Sequence, residues 1–456
     1  MKHKKVIGVF TLAMINVAAI DSIRNLPIIA EYGVSLIFFL LMAAIGFLLP
    51  TSLVSAELAS GWSKEGGIYT WVKAAFGKDA GFLASWLQWS HNLPWYPAVL
   101  SFIAVTLAFA FFPDLADDKL YLLPIVFSVL WIFTYINSKG IEASSKISEF
   151  CVIVGTIVPS ILLIGMAIFW VVTGEQMQID FVRDDFLPKF ELGHLVFFSG
   201  MILGFAGIEM SASHIMDVKN PQKNYPRAIL LSSFIILLIM ILGSLAIAIV
   251  VPNHRLDIVG GIVQAFEAFL TPFGLGWMVP IISIFVVVGS IGMVSTWIVG
   301  PVRSLHVVAI KNDLPDWFQK LNKNNMPINL LIMQAVIASL TSVAFVLMPN
   351  VSSAFWVLSV LAAQLYVLMY MMMFVSAIKL RYSHAHIERM YRIPFGNVGM
   401  WVVSLVGISC CLFVFFIGFL PPNHLETGHI FLYVAFLVIG NLLLIFPPWI
   451  IKYFKK

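Results

Sequence analysis

Long apolar runs constrain this chain more than any other feature of its sequence. A helix needs about 20 apolar residues to cross the hydrocarbon core of a bilayer, and runs of this length recur from one end of the sequence to the other. They define twelve candidate spans, near residues 7–30, 34–56, 80–112, 121–137, 147–173, 192–215, 228–251, 275–302, 328–348, 354–380, 399–420 and 429–451. Apolar residues make up 60% of the 456 residues and charged residues only 11%, unlike a soluble globular domain. The connections are too short for a separate soluble domain, so residues 1–456 are predicted to form one all-α membrane domain.

The basic residues are sorted between the two sides of the membrane. With the N-terminus in the cytoplasm, 22 of the 27 Lys and Arg fall on the cytoplasmic side, four fall outside, and Arg24 lies within the first span. The positive-inside rule therefore predicts that both termini are cytoplasmic. Because sorting by side accounts for the net charge of +4, this charge does not indicate a nucleic-acid partner.

The three cysteines, Cys151, Cys410 and Cys411, all lie inside predicted spans. Cys410 and Cys411 are neighbours and face different sides of a helix, and no His/Cys spacing accompanies them. Buried free thiols are expected, without a disulfide framework, a metal site or a cofactor. HExxH, GxSxG, Walker and dinucleotide-binding motifs are missing from the sequence, which argues against an enzyme. An ion channel would show repeated pore segments or rings of charge.

The sixth span combines glycines with a carboxylate. Gly204, Gly207 and Glu209 fall within six residues. Glycines weaken a helix and let other groups approach its backbone, whereas a carboxylate inside a membrane is costly unless it faces a cavity or a partner. This pattern predicts a broken helix and a transport site. The alternative is close helix packing, because Gly200 and Gly204 are four residues apart, but packing does not explain Glu209.

The first span is also interrupted by polar residues. Asp21, Ser22, Arg24 and Asn25 lie at its middle, and Pro27 follows closely. Such a cluster is typical of a helix that stops and restarts around a cavity. The alternative is an Asp21–Arg24 ion pair on one intact helix, although that pair would still need a polar site to face.

Other polar side chains inside the spans are weaker signals. Glu57, at the end of span two, is interpreted as an interfacial or structural carboxylate. His91 in span three lies beside two prolines and is expected to face the interior. In span ten, Gln364, Tyr366 and Tyr370 are expected to share one helix face.

The order of the spans predicts internal symmetry. Spans one and six are both interrupted, each is the first of a set of five, and they cross the membrane in opposite directions. This arrangement indicates an inverted repeat with a binding site at the membrane midplane. The predicted repeats cover residues 7–173 and 192–380, followed by two additional helices over 399–451.

Several segments carry a resemblance to a known family. They are AELASGWSKEGGIYTWVKAAFG, GFAGIEMSASHIMDVKNPQKNYPRA, STWIVGPVRSLHVVAIKNDLP, LRYSHAHIERMYRIPFG and FLPPNH, in that order over nearly the whole chain. The chain resembles the amino acid, polyamine and organocation transporter superfamily, and most closely the bacterial glutamate/γ-aminobutyrate antiporters of the inner membrane. The resemblance implies the leucine-transporter-like fold, with discontinuous helices one and six.

The resemblance also implies roles for individual residues. Backbone N–H groups of span one would bind the substrate α-carboxylate at Ile20, Asp21, Ser22, Ile23 and Arg24. Backbone carbonyl groups of span six would bind the α-amino group at Gly204, Phe205, Ala206, Gly207 and Ile208. The implied gating and proton-sensing residues are Glu209 and the aromatic residues Trp297, Tyr366 and Tyr370.

Two features depart from this family. Residues Ile20 to Ile23 replace the common Gly-Ser-Gly type sequence, so Arg24 is expected to share the binding of the carboxylate. The antiporters also carry a C-terminal extension that plugs the cytoplasmic path, and this sequence ends before such an extension, so acid gating by that device is not implied.

The expected function is exchange of glutamate or a related amino acid for its decarboxylated product or another amino acid. A proton- or cation-coupled symporter is the alternative. The expected partners are a small amino acid and membrane lipid, with a homodimer as a further option.

Overall fold

The computed structural model of the chain describes residues 7–20, 22–62, 67–140, 151, 153–181, 192–211, 218–313, 315–422 and 425–454. Regular structure in these ranges is helical, apart from an isolated parallel bridge between Ile7 and Val218. A helix pairs its backbone N–H and C=O groups within one segment, which is what a segment surrounded by lipid requires.

The α-helices of the described ranges follow one another along the chain with short connections. They are α1 (Val9–Ile20), α2 (Leu26–Ala30), α3 (Leu36–Ala43), α4 (Leu49–Gly61), α5 (Gly67–Phe76), α6 (Lys78–Ser90), α7 (Asn92–Phe111), α8 (Lys119–Ser138), α9 (Val158–Thr173), α10 (Leu192–Phe205), α11 (Pro221–Val250), α12 (Gly261–Leu270), α13 (Val279–Val308), α14 (Ile328–Thr341), α15 (Ala344–Leu347), α16 (Val351–Ser383), α17 (Gly396–Ile417), α18 (Ile430–Ile445) and α19 (Pro447–Phe454).

Ten helical stretches in the described ranges are long and apolar enough to cross a membrane. They correspond to predicted spans two to five and seven to twelve. Spans one and six give shorter helices, of 12 residues in α1 and 14 residues in α10, because both are interrupted. The predicted all-helical membrane class is confirmed, whereas the total of twelve spans stays a prediction.

Burial distinguishes the central helices from the peripheral ones. The most apolar windows of Lys78–Phe111 and Val351–Ser383 are 83% buried, against 28% for Lys119–Ser138 and 22% for Ile430–Ile451. Helices α6, α7 and α16 therefore lie at the centre, and α8 and α18 expose apolar side chains as a lipid-facing helix does. Helices α1 and α4 both pack against α11.

Two of the long stretches contain a π-helical turn directly before a proline-containing first turn of the next helix. Ala44–Leu48 precedes Pro50, and Ile153–Ile157 precedes Pro159. Proline has no N–H for the usual hydrogen bond, and its ring crowds the preceding turn, so the helix widens at these points.

The second π turn lies where the fifth span crosses α13. Gly155 in the turn faces Gly289 of α13, and a Cβ on either glycine would collide with the backbone of the other. Helices approach this closely where small residues form the contact. The crossing fixes the position of α13, which carries Trp297 about two turns further along.

The connection from α11 to α13 is tied to two other elements. Asn253 Nδ2 donates to the backbone carbonyl of Glu31, just beyond α2, at 3.0 Å. Ser352 Oγ, in the first turn of α16, donates to Asp257 Oδ2 at 2.9 Å. Asp257 Oδ1 also accepts from the backbone N–H of Gly260 at the start of α12. Burial, followed by the negative charge of Asp257, raises the pKa of Glu31 to about 7.

Gly155→Ala is expected to lower stability by about 1–3 kcal/mol, the usual cost of overpacking, because the added Cβ would lie 2.0 Å from the backbone nitrogen of Gly289. Thermal unfolding of the purified protein in detergent measures the effect. Gly165→Ala is the matched control, since a Cβ at Gly165 meets no heavy atom within 4 Å. Equal melting temperatures for the two variants would contradict the proposed crossing.

Glu31→Gln is expected to stabilise the protein at pH 8 and to have little effect at pH 5. The pKa of Glu31 is about 7 in the folded chain and near the ordinary value of 4.5 when unfolded. Its charge is therefore unfavourable in the folded state above pH 7, and wild-type stability falls as pH rises between these values. Melting temperatures of both proteins from pH 5 to 8 measure this. If the melting temperatures of the two proteins change with pH in the same way, Glu31 does not titrate as proposed.

Candidate functional site at the interrupted helices

The first span is broken beside Ser22. Helix α1 ends at Ile20, Ser22 is extended with φ −125° and ψ 116°, and a 3₁₀ turn over Ile23–Asn25 leads into α2. Pro27 lies in the first turn of α2, where its missing N–H costs nothing. The break leaves backbone groups at the end of α1 and the start of α2 without helical partners. Asp21 and the predicted Asp21–Arg24 pair lie outside the described residues.

The sixth span is broken beside Gly207. Helix α10 ends at Phe205, and Gly207 has a φ of +114°, which favours glycine. A Cβ at Gly207 would lie 3.2 Å from the ring of Trp297 and 3.6 Å from Ile20 Cγ1. Glycine at this position therefore allows both the turn and the close approach of the first span.

The glycines before this break are also packing positions. A Cβ at Gly200 would lie 3.1 Å from Ile28 Cγ2, and one at Gly204 would lie 3.3 Å from Asn25 Nδ2. Close helix packing, the alternative interpretation of these two glycines, therefore accounts for Gly200 and Gly204. It does not describe Gly207, whose backbone is not helical.

Both breaks border one cavity, whose central free volume is about 20 Å³. Spans one, three, six, eight and ten contribute its lining. The lining residues are Ile20, Ser22, Arg24, Asn25, His91, Trp95, Leu203, Ala206, Met293, Trp297 and Tyr366.

Arg24 places a buried guanidinium at this cavity. The residue is 3% exposed, and Nη2 donates to Asn25 Oδ1 at 3.3 Å. In the described part of the chain, Nε and Nη1 have no hydrogen-bond partner. The guanidinium carbon lies 5.3 Å from the centre of the Trp95 ring and 5.8 Å from that of Phe355. Stacking stabilises the cation, while its free N–H groups match the geometry of a carboxylate.

Glu209 is buried beside the cavity and accepts three hydrogen bonds. The donors are Tyr366 Oη at 2.6 Å, Gln88 Nε2 at 3.1 Å, and Tyr370 Oη. Tyr370 Oη also accepts from the backbone N–H of Gly207 at 2.7 Å. An ionised carboxylate only accepts hydrogen bonds, so three donors suit its charged form. The carboxylate joins the break in the sixth span to α6 and α16.

Aromatic rings enclose the cavity. The His91 ring is stacked on Tyr366, with centroids 3.7 Å apart and an interplanar angle of 11°, and it meets the edge of Trp297 at 5.8 Å. Trp95 lies 5.6 Å from Trp297. Tyr96 Oη donates to the backbone carbonyl of Trp297 at 2.9 Å, which holds α13 against α7.

The structure separates the residues singled out from the sequence into three groups. Ile20, Ser22, Arg24, Ala206, Trp297 and Tyr366 line the cavity. Tyr370 and Glu209 lie behind Tyr366 in the hydrogen-bonded cluster. The remaining described residues of the predicted set are buried without lining the cavity, and they are Ile23, Gly204, Phe205, Gly207 and Ile208.

Sequence reasoning missed most of the contribution of span three. Gln88, His91 and Trp95 are separated by three and four residues, the spacing of one helix face. That spacing was available as a signal, but it does not say which face points to the cavity. Leu203 and Met293 were missed as well, whereas Asn25 was named as part of the polar cluster that interrupts span one.

The predicted shared face of Gln364 with Tyr366 and Tyr370 is wrong. Gln364 Nε2 donates to the backbone carbonyl of Phe415 at 2.9 Å, and its Oε1 accepts from Asn441 Nδ2 at 2.7 Å. It therefore faces α17 and α18. The reason is helical geometry, since residues two apart differ by about 200° around the axis, whereas residues four apart lie on one side.

Two broken helices border a cavity in a helical membrane protein, and a buried guanidinium and a buried carboxylate lie beside it. This arrangement is typical of a transport protein. A sequence model of the family described as amino acid permease matches residues 7–442. The chain therefore belongs to the amino acid permease family, within the amino acid, polyamine and organocation transporter superfamily. The family consists of transporters.

Individual relatives cover nearly the whole chain. An uncharacterized transporter of Legionella pneumophila is 43% identical over 452 residues, covering 99% of this chain and 97% of the relative. A glutamate/γ-aminobutyrate antiporter of Lactococcus lactis is 28% identical over 456 residues, covering 98% and 90%. A probable agmatine/putrescine antiporter of the same species is 26% identical over 379 residues, covering 83% and 80%.

Proposed function

We propose that this chain is a secondary active transporter of the bacterial inner membrane that exchanges glutamate or a related acidic amino acid for its decarboxylated product or another amino acid. The observation that carries the proposal is the buried guanidinium of Arg24 at a cavity between two broken helices. In the described ranges its Nε and Nη1 atoms have no hydrogen-bond partner. The relative named as a glutamate/γ-aminobutyrate antiporter supports this substrate class. The sorting of basic residues supports cytoplasmic termini.

The substrate is held by opposite partial charges at the two breaks. An amino acid zwitterion that leaves water needs partners for both charges, because unpaired buried charge is very costly. Backbone N–H groups around Ile20–Arg24 bind the α-carboxylate, and carbonyl groups around Gly204–Ile208 bind the α-ammonium group, since helix ends carry such partial charges. Arg24 binds the side-chain carboxylate.

Alternating access follows from the size of the cavity. A central free volume of about 20 Å³ is too small for glutamate, so the helices around the cavity move apart when the substrate binds. Trp297 and Tyr366, which line the cavity and are both largely buried, move aside to admit the substrate. The two five-span repeats rock about the site, with spans eleven and twelve outside them.

Glu209 acts as the gate and proton-sensing group. As a carboxylate it holds α16 through Tyr366 and Tyr370. Protonation removes the charge that strengthens these hydrogen bonds. The link between the sixth span and α16 is then weaker, and the path past Tyr366 opens more readily.

A proton-coupled amino acid symporter is the second candidate, and the position of Glu209 beside the cavity favours it as a site for proton coupling. The two functions differ in one requirement. Exchange needs an amino acid on the far side of the membrane, so proteoliposomes without internal substrate take up little label. Symport proceeds in empty vesicles when a proton gradient is applied.

Arg24→Ala is expected to lose preference for glutamate over glutamine by about 10–100-fold, the effect of losing hydrogen bonds to a charged group. Competition of each amino acid against radiolabelled substrate, in proteoliposomes preloaded with glutamate, measures the preference. Arg255→Ala, which removes an exposed arginine outside the spans, is the matched control. Unchanged discrimination in Arg24→Ala would remove this residue from the specificity of the site.

Glu209→Gln is expected to flatten the pH dependence of exchange, because glutamine keeps the shape of the side chain but does not titrate. Initial rates in proteoliposomes between pH 5 and 8 measure this. Glu267→Gln, at an exposed position of α12, should keep the wild-type profile. If Glu209→Gln also keeps it, Glu209 has no role in proton sensing.

A further inference from the structure

A second buried carboxylate is bound to α16, far from the cavity along the helix. Glu57, near the end of α4, is 1% exposed. Its Oε1 accepts from Arg381 Nε and its Oε2 from Arg381 Nη2, both at 2.5 Å. The backbone N–H of Ile393 donates to Oε2 at 2.8 Å. A bidentate contact between a guanidinium and a carboxylate fixes their relative orientation as well as their distance.

The chain between α16 and α17 reinforces this contact. Arg389 Nη1 lies 3.7 Å from Glu57 Oε1, and Arg389 Nη2 donates to the backbone carbonyl of Leu380 at 2.8 Å. The Arg389 guanidinium also lies over the ring of Trp62, at 5.1 Å. Ser60 Oγ donates to the backbone carbonyl of Tyr391 at 3.1 Å. Residues 384–395 therefore fold back onto the end of α4 and clamp α16 there.

Arg381 and the two tyrosines share one side of α16. Arg381 follows Tyr370 by eleven residues, which is three helical turns and about 16 Å. Helix α16 runs without proline from Val351 to Ser383. A straight helix transmits rotation and sliding along its length, so the orientation of α16 at Arg381 sets the positions of both phenol groups at Glu209.

We infer that Glu57 and Arg381 are positioning residues that hold α16 in the rotation at which Tyr366 and Tyr370 reach Glu209. The inference rests on the gate proposed for Glu209 in the preceding subsection. Helix α16 is then held by two carboxylates on one side. One is bound through a guanidinium at the end of α4, and the other through two neutral hydroxyl groups beside the cavity.

The groups around Glu209 determine how a shift of α16 changes the pH dependence of exchange. Tyr366 and Tyr370 on α16 and Gln88 on α6 donate to its carboxylate. Among the described residues, Tyr225 of α11 is a further titratable group that interacts with Glu209, and the His91 ring is stacked on Tyr366. Loss of a phenol donor weakens the ionised form of Glu209. Exchange then responds to protonation at a higher pH.

The test compares variants at both ends of α16 in proteoliposomes. Tyr370→Phe is expected to move the midpoint of the pH profile of exchange upward by about one pH unit, the equivalent of one hydrogen bond to a carboxylate. Glu57→Gln is expected to shift it in the same direction. The double variant Glu57→Gln with Tyr370→Phe should shift the midpoint by less than the sum of the two single shifts, because both changes weaken the contact between Tyr370 and Glu209.

Two further variants separate positioning from general damage. Arg381→Lys keeps the charge but not the bidentate contact. It is therefore expected to shift the midpoint of the pH profile by less than Glu57→Gln does. This variant also tests the inference if the Glu57→Gln protein does not accumulate in a folded form. Glu388→Gln changes an exposed carboxylate in the same segment, and it should retain the wild-type profile.

The outcomes distinguish the inference from the function on which it rests. If Tyr370→Phe and Glu209→Gln both leave the pH profile unchanged, the gate itself is wrong. If those variants shift the profile while folded Glu57→Gln or Arg381→Lys does not, the gate stands and the positioning role is overturned. Additive shifts in the double variant overturn it as well, because they would show that Glu57 acts independently of Tyr370.

Discussion

A helix that stops inside a membrane leaves backbone groups that lipid cannot satisfy, and this constraint governs the centre of the molecule. The break at Gly207 is supported by a side chain from another helix, since Tyr370 Oη accepts the freed N–H. The same hydroxyl group donates to Glu209. One side chain of α16 therefore stabilises both the backbone N–H that the break frees and the buried carboxylate of the sixth span.

Buried charges are treated in two ways in this fold. Glu57 is surrounded by donors with formal positive charge, and such a pair keeps its arrangement because separation would leave two unpaired ions in a low dielectric. Glu209 is surrounded by neutral donors, whose hydrogen bonds break at lower cost. Within the described ranges, the Nε and Nη1 atoms of Arg24 have no hydrogen-bond acceptor. Of the three residues, Arg24 is the one that lines the cavity.

Local sequence was sufficient to find the two breaks, because the residues that cause them are neighbours along the chain. Polar residues before Pro27 mark the first, and Gly207 beside Glu209 marks the second. The sequence was less informative about span three, where Gln88, His91 and Trp95 share a face that any central helix could present to its neighbours. It was misleading for Gln364, since a separation of two residues suits a strand rather than a helix.

The sequence by itself determined that this is a helical membrane protein and where its first and sixth spans lose helical structure, because lipid permits few alternatives and glycine, proline and charged residues act locally. Tertiary structure alone decided the partners of the buried charges. Glu57 and Arg381 are separated by 324 residues, and Glu209 and Tyr366 by 157. A contact over such distances depends on how whole helices pack and rotate against one another, and no local pattern along the chain encodes that rotation.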